Sequence, residues 1–135
     1  MNKGILFIPV DKQNKESSKL FDEIVNQTLA SEKWGLKEAF FGEHITDMHE
    51  KISSSIMMIS ALSKLTNKIK LGTLTTNLNF YKPAVIAAAI SQADNLSKGR
   101  LILGVGSGAN LSDLESIGMM NENNHKLMLE SLEIL

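Results

Sequence analysis

An imidazole beside a carboxylate at the tip of a strand is the first arrangement in this 135-residue chain that could do chemistry: Gly42-Glu43-His44. Imidazole gives or takes a proton near neutral pH, and an adjacent carboxylate can fix its tautomer. On residue type alone, a solvated loop histidine is the simpler reading of the same letters. His44, Asp47 and His49 could suggest a metal, but they lie in a loop at spacings that match no helical ligand pair. No metal site is expected. His125 reads as a surface residue.

A second candidate is Gly104-Val105-Gly106-Ser107-Gly108, which follows a strand. A dinucleotide turn needs Gly-x-Gly-x-x-Gly in the first βα unit; here position 109 is Ala and the unit is the fourth. The glycines either permit a tight strand-to-helix turn or let a flat ring approach the backbone, and spacing does not separate the two. Asp94 and Arg100 flank another turn. Arg100 is the only arginine, so its planar fork points to a salt bridge with Asp94 or a tie across the floor of the fold.

Four strand–helix units position these residues. Ile5 to Val10 reads as a strand buried on both faces. Ser17 or Ser18 can cap a helix with Leu20, Phe21, Ile24, Val25 and Leu29 on one stripe, ended by Gly35. The second strand is about 38–41; after the loop 42–51 comes a helix from about Ser53 with Ile56, Ile59, Leu62 and Leu65 on one face. The third strand is 69–74, and Pro83 opens a helix through Leu96. The fourth strand is 101–105, with Ser112 as cap of a short helix before Gly118 and a last helix over about 124–135. The seven methionines, including Met57-Met58 and Met119-Met120, read as core fillers.

Alternating strands and helices with short links imply an α/β fold of parallel strands joined by right-handed crossovers. All strands then end on one face, which gathers 9–11, 42–44, 73–79 and 104–110, where ligands bind in such folds.

Composition excludes several classes. The chain is 43% hydrophobic and 21% charged, enough for one globular domain over 1–135. No cysteine means no disulfide scaffold, thiolate site or cysteine nucleophile. A net charge of -1 with one arginine argues against nucleic acid. The apolar runs are too short to span a membrane, so a cytoplasmic protein is expected.

Taken together, the run 93–108 (Ala-Asp-Asn-Leu-Ser-Lys-Gly-Arg-Leu-Ile-Leu-Gly-Val-Gly-Ser-Gly) resembles the luciferase-like, flavin-dependent monooxygenases. Phe41-Gly42-Glu43-His44, Ile69-Lys70-Leu71-Gly72-Thr73 and Tyr81-Lys82-Pro83-Ala84 support it in the family's order. The resemblance implies a TIM barrel, of which this chain holds about four βα units, a half barrel. It implies reduced FMN at the carboxyl ends of the strands, with a flavin reductase as its source, and oxygen and an organic substrate such as an aldehyde as partners. A related branch uses a deazaflavin, the alternative cofactor.

By the same resemblance, His44 is the catalytic candidate. Glu43, Thr73, Leu74, Thr75, Asn77, Gly106, Ser107 and Gly108 are the cofactor-binding candidates, and Leu74-Thr75 matches the family's non-proline cis peptide against the flavin ring. Three positions depart from the pattern. Ile45 stands where a second His is common, Ala93 where a larger apolar residue is usual, and Ser107 where the luciferase catalytic subunit has an arginine near the flavin phosphate.

A barrel needs about 250 residues, and a lone half barrel exposes its edges and inner face. The expectation is therefore a fragment of a longer protein, a truncated product, or a homo-oligomer in which two copies close on each other. A non-catalytic, flavin-binding or subunit-like remnant is the alternative function.

Overall fold

In a computed structural model, residues 3–10 and 16–135 are described; Asp11, expected at the first strand's end, lies outside them. The elements are β1 (Gly4–Phe7), α1 (Ser17–Lys33), β2 (Glu38–Phe41), α2 (Ser55–Ser63), β3 (Lys70–Thr73), β4 (Thr76–Asn77), a 3-10 turn (Leu78–Phe80), α3 (Pro83–Ser97), β5 (Leu101–Ile102), β6 (Val105–Gly106), α4 (Leu111–Ser116) and α5 (Asn124–Leu132). Strands pair in parallel in the order β1-β2-β3-β5, so chain order is sheet order. This is the α/β architecture expected, with every strand's carboxyl end on one face.

Side chains alternate across such a sheet. Phe7, Ala39, Phe41 and Leu71 point to the helical side, where they pack with Leu20 and Ile24 of α1 and Ile59 and Leu62 of α2. Phe7 and Phe41 stack with centroids 5.2 Å apart. A second cluster joins Ile56, Leu78, Ile86 and Ala93 to Leu103, Val105 and Met128. The register aligns Leu6, Phe40, Gly72 and Ile102 across the opposite face. At the edge of that face Leu6 is 43% and Ile8 49% exposed.

The third and fourth strands are each broken in two, where continuous strands over 69–74 and 101–105 were expected. β4 pairs in parallel with β6 as a separate ladder. The first break falls at Leu74-Thr75, which is a non-proline cis peptide, as the resemblance implied. The second falls at Leu103-Gly104. There the Thr73 hydroxyl donates to Gly104 O at 2.7 Å and accepts from Gly104 N at 3.0 Å. A Cβ on residue 104 would overlap the Thr73 carbonyl, so this glycine answers to a close backbone approach.

Several helix ends differ from expectation. The cap of α1 is Glu16, which makes no side-chain capping bond, rather than Ser17 or Ser18. Ser54 caps α2 by accepting from Met57 N, and Leu65 lies past the helix end, 50% exposed. Asn110, not Ser112, caps α4: its Oδ1 reaches the amides of Ser112 and Asp113. α5 stops at Leu132. Met57 and Met48 are both 73% exposed, so neither fills the core, whereas Met58 does. Gly35 and Pro83 punctuate as expected, Gly35 at φ +86° just past α1 and Pro83 in the first turn of α3.

Opposite the strand ends, Arg100 is the tie across the floor. Its guanidinium donates to Ser97 O, Ser63 O, Thr66 O, Ile69 O and Thr66 Oγ1, so Asp94 is not its partner. Glu32 closes the same floor by accepting from the amides of Asn67, Lys68 and Ile69. Among the described residues no helix is long and apolar enough to cross a membrane, and no group of three ligating side chains could hold a metal ion.

Candidate active site

A cleft of about 280 Å³ opens where the strands end, walled by Ile8, Gly42-Glu43-His44, Glu50, Leu74-Thr75, Asn77, Phe80, Ala109-Asn110 and Asp113. His44 stands at the tip of β2, its amide donating to Ile52 O at 2.9 Å. Its Nδ1 lies 3.0 Å from Asp113 Oδ2 and its Nε2 lies 3.4 Å from Glu50 Oε2. The Asp113 contact requires a proton on Nδ1, since a carboxylate only accepts. The amide of Asn110, 3.4 Å from the same Nδ1, is then a neighbour rather than its donor.

Asp113 comes from the first turn of α4 and is 1% exposed. Its Oδ1 accepts from Ile45 N at 3.1 Å, Thr46 N at 2.7 Å and Thr46 Oγ1 at 2.7 Å. Burial pushes this carboxyl up, but the Thr46 hydroxyl and amide and His44 together hold it below the usual range. It is an ionised, fully bonded anchor.

Glu43 does something else. It is 4% exposed, and its Oε2 accepts from Ser55 N at 3.1 Å and Ser55 Oγ at 2.8 Å while Oε1 accepts from Asn77 N at 2.9 Å. Ser55 opens α2, so the carboxylate sits at a helix N-terminus, where negative charge is favoured. Burial nevertheless raises its pKa, and the Asn77 and Ser55 bonds only partly offset that. The expectation that Glu43 fixes the His44 tautomer is therefore corrected: its oxygens face Ser55 and Asn77, and Asp113 holds the ring.

Of the other expected residues, Leu74, Thr75 and Asn77 line the cleft. Thr73 is fully buried, its hydroxyl committed to Gly104. Gly106 packs on Thr75 and Asn77 and Gly108 on Phe80, so both reach the cleft through the residues that line it. Ser107 does not line it. Asp113 and Glu50 were missed by sequence reasoning; neither carries a local signal, and only the fold brings them to His44. A wider hollow of about 530 Å³ lies beyond Phe80, between the 3-10 turn and α5, and holds none of these three residues.

The parallel strands and a histidine–carboxylate pair at their carboxyl ends define an α/β protein with a cleft suited to proton chemistry on a small ligand. The family model for luciferase-like monooxygenases matches residues 1–135, and the chain belongs to that family. It is 32% identical over 104 residues to 4-hydroxyprotoasukamycin monooxygenase of Streptomyces nodosus, covering 77% of this chain and 28% of that protein. An F420-dependent glucose-6-phosphate dehydrogenase of Intrasporangium calvum is 29% identical over 96 residues, 68% of this chain and 29% of its own length. Among solved structures, the oxygenating constituent of 3,6-diketocamphane monooxygenase from Pseudomonas putida, in complex with FMN, superimposes with a TM-score of 0.95 at 26% identity, covering 99% of this chain and 38% of that one. The chain thus spans about a third of the length of these relatives.

Proposed function

We propose that this chain forms the flavin-facing half of a flavin-dependent monooxygenase that takes reduced FMN and oxygen to an organic substrate. The observation that carries the reading is the His44–Asp113 pair at 3.0 Å, set in a cleft walled by Leu74, Thr75 and Asn77. The residues present fit a planar ring. A Cβ on residue 106 would crowd Thr75 Oγ1 and Asn77 Oδ1, so the glycine keeps the backbone wall flat beside Asn77. Asn77 Oδ1 is engaged by Thr75 Oγ1 at 3.4 Å, which leaves its Nδ2 as a donor on the cleft wall. The cleft is at the lower end of small-ligand pockets, roughly 300–1,000 Å³.

Bound reduced flavin would supply the electrons for oxygen activation. This chain's own residues have three tasks. Leu74, Thr75 and Asn77 orient the ring, Ile8 and Phe80 exclude water from it, and His44 holds or accepts a proton at Nε2 while Asp113 keeps Nδ1 protonated. The test is a melting curve with FMN and a reductant, set against the same curve with a reduced deazaflavin. Stabilisation by FMN but not deazaflavin supports the reading. The reverse moves the chain to the deazaflavin branch, which the glucose-6-phosphate dehydrogenase relative makes specific. Indifference to both, with His44→Ala silent in every property, favours a non-catalytic remnant, for which Ile45 speaks.

For the face of Leu6 and Ile8 we propose two copies closing on each other as one covering, beside the remainder of a longer chain as the other. Light scattering that gives a monomer at micromolar concentration, still folding cooperatively, overturns the two-copy covering.

A further inference from the structure

His44 does not face one carboxylate but two, and they differ in kind. Asp113 on Nδ1 is 1% exposed and accepts from three other donors, so it has no capacity left to take a proton. Glu50 on Nε2 is 26% exposed at its side chain and lines the same cleft, with one end on the ring and the other toward water. Its placement is built. Asp47 Oδ1 accepts from His49 N at 2.7 Å and Glu50 N at 3.1 Å, a side-chain turn that folds the loop back on itself. Val10 and Glu50 form an isolated antiparallel bridge, which ties that turn to the strand end of β1. Six residues after His44, the chain has been steered back to the free edge of the same ring.

We infer that Glu50 is a positioning residue for His44, which holds the Nε2 edge and relays its proton between the cleft and solvent. The inference rests on His44 being the proton-handling group of the proposed site. In the relay the Nε2–H bond of the imidazolium breaks and its electron pair stays on Nε2. The proton forms an Oε2–H bond on Glu50, and the resulting carboxylic acid releases it to water. Nothing is oxidised or reduced, and the pair passes from imidazolium plus carboxylate to imidazole plus acid. The other carboxylates that interact electrostatically with His44 are Glu43, Asp47 and Asp113, and Asp47 also interacts with His49. Of these, Glu43 and Asp113 are buried and bonded and Asp47 is occupied by the loop amides, which leaves Glu50 as the group with both access and a contact.

The test is nitrogen NMR of the full chain labelled in its histidine rings, with His49→Gln and His125→Gln leaving His44 as the single signal. Glu50→Gln is expected to move the Nε2 resonance and slow exchange of its proton with water several-fold, with Nδ1 and the melting curve little changed. Glu50→Asp, which keeps the charge on a shorter arm, recovers part of the exchange rate. Asp113→Asn moves Nδ1 instead. An Nε2 resonance and exchange rate that ignore both Glu50 variants, in protein that still melts cooperatively, overturns the inference. If Glu50→Gln loosens the loop, Glu50→Asp decides alone. Failure of the underlying reading looks different: the ring nitrogens respond as expected, but His44→Gln leaves the response to reduced flavin unchanged.

Discussion

Asp113 Oδ2 reaches His44 Nδ1 at 3.0 Å across 69 positions of sequence, and its other oxygen holds the amides of Ile45 and Thr46. One carboxylate therefore fixes both the ring and the backbone that carries it, and joins the second strand–helix unit to the fourth.

Asp113→Asn tests that joint. An amide offers one acceptor oxygen where the carboxylate offers two, so either His44 or the Ile45–Thr46 turn loses its partner. The expected cost is about 1–3 kcal/mol at pH 7, the range for a buried group left unsatisfied. The sign with pH follows from the lowered carboxyl. Folding favours the ionised form, so the contribution is present above the ordinary 3.8 and lost as pH falls through the lower folded value. Denaturant melts from pH 7 to pH 2.5 should show the wild type losing this increment in acid, while the variant is flatter there.

Glu43 has the opposite sign. Burial raises its carboxyl above the ordinary 4.5, so folding favours the protonated form. The resulting penalty is absent below that value and grows as pH rises through the raised folded one. Ser55→Ala removes a donor to the ionised carboxylate and enlarges the penalty. A loss of about 1 kcal/mol at pH 7, shrinking toward pH 4, is expected from melts at the two pH values; an equal loss at both would mean that Ser55 acts only through Thr76, whose hydroxyl lies 3.0 Å away.

The two close-approach glycines should behave differently. A Cβ at residue 104 overlaps the backbone carbonyl of Thr73, which cannot swing aside, whereas one at 106 first meets the Thr75 hydroxyl, which can rotate. Gly104→Ala is expected to cost about 1–3 kcal/mol or more, as overpacking does. Gly106→Ala should cost less in melting temperature yet block ligand stabilisation, because it fills the wall beside Asn77.

Arg100→Lys keeps the charge and loses the fork. An ammonium cannot reach Ser63 O, Thr66 O, Ile69 O and Ser97 O together, so carbonyls at the floor go unsatisfied. A loss of about 1.5–3 kcal/mol is expected in chemical denaturation, with no change in the pH profile of the cleft 's residues, since the floor lies at the opposite end of the strands.

The strand–helix alternation was legible because apolar periodicity and punctuation agree: Gly35 ends α1 at positive φ and Pro83 opens α3. His44 and the Leu74-Thr75 peptide were legible through the family pattern. The strand breaks were not, because they follow from contacts such as Thr73 with Gly104, which periodicity does not encode. Capping failed where several candidates adjoin: Asn110 outcompetes Ser112 because it stands just ahead of the first helical residue and reaches two amides. Asp113 and Glu50 looked like ordinary polar positions. Their role exists only once the chain has folded.

Chain order being sheet order has a consequence for how the molecule assembles. Gly4 pairs with Glu38, Glu38 with Lys70 and Leu71 with Leu101, so each pairing closes a loop of some thirty residues and can form as the chain emerges from its N-terminus. The His44–Asp113 contact closes a loop about twice as long and must wait for the fourth unit. A reporter on that imidazole is therefore expected to lag the pairing of the first three strands.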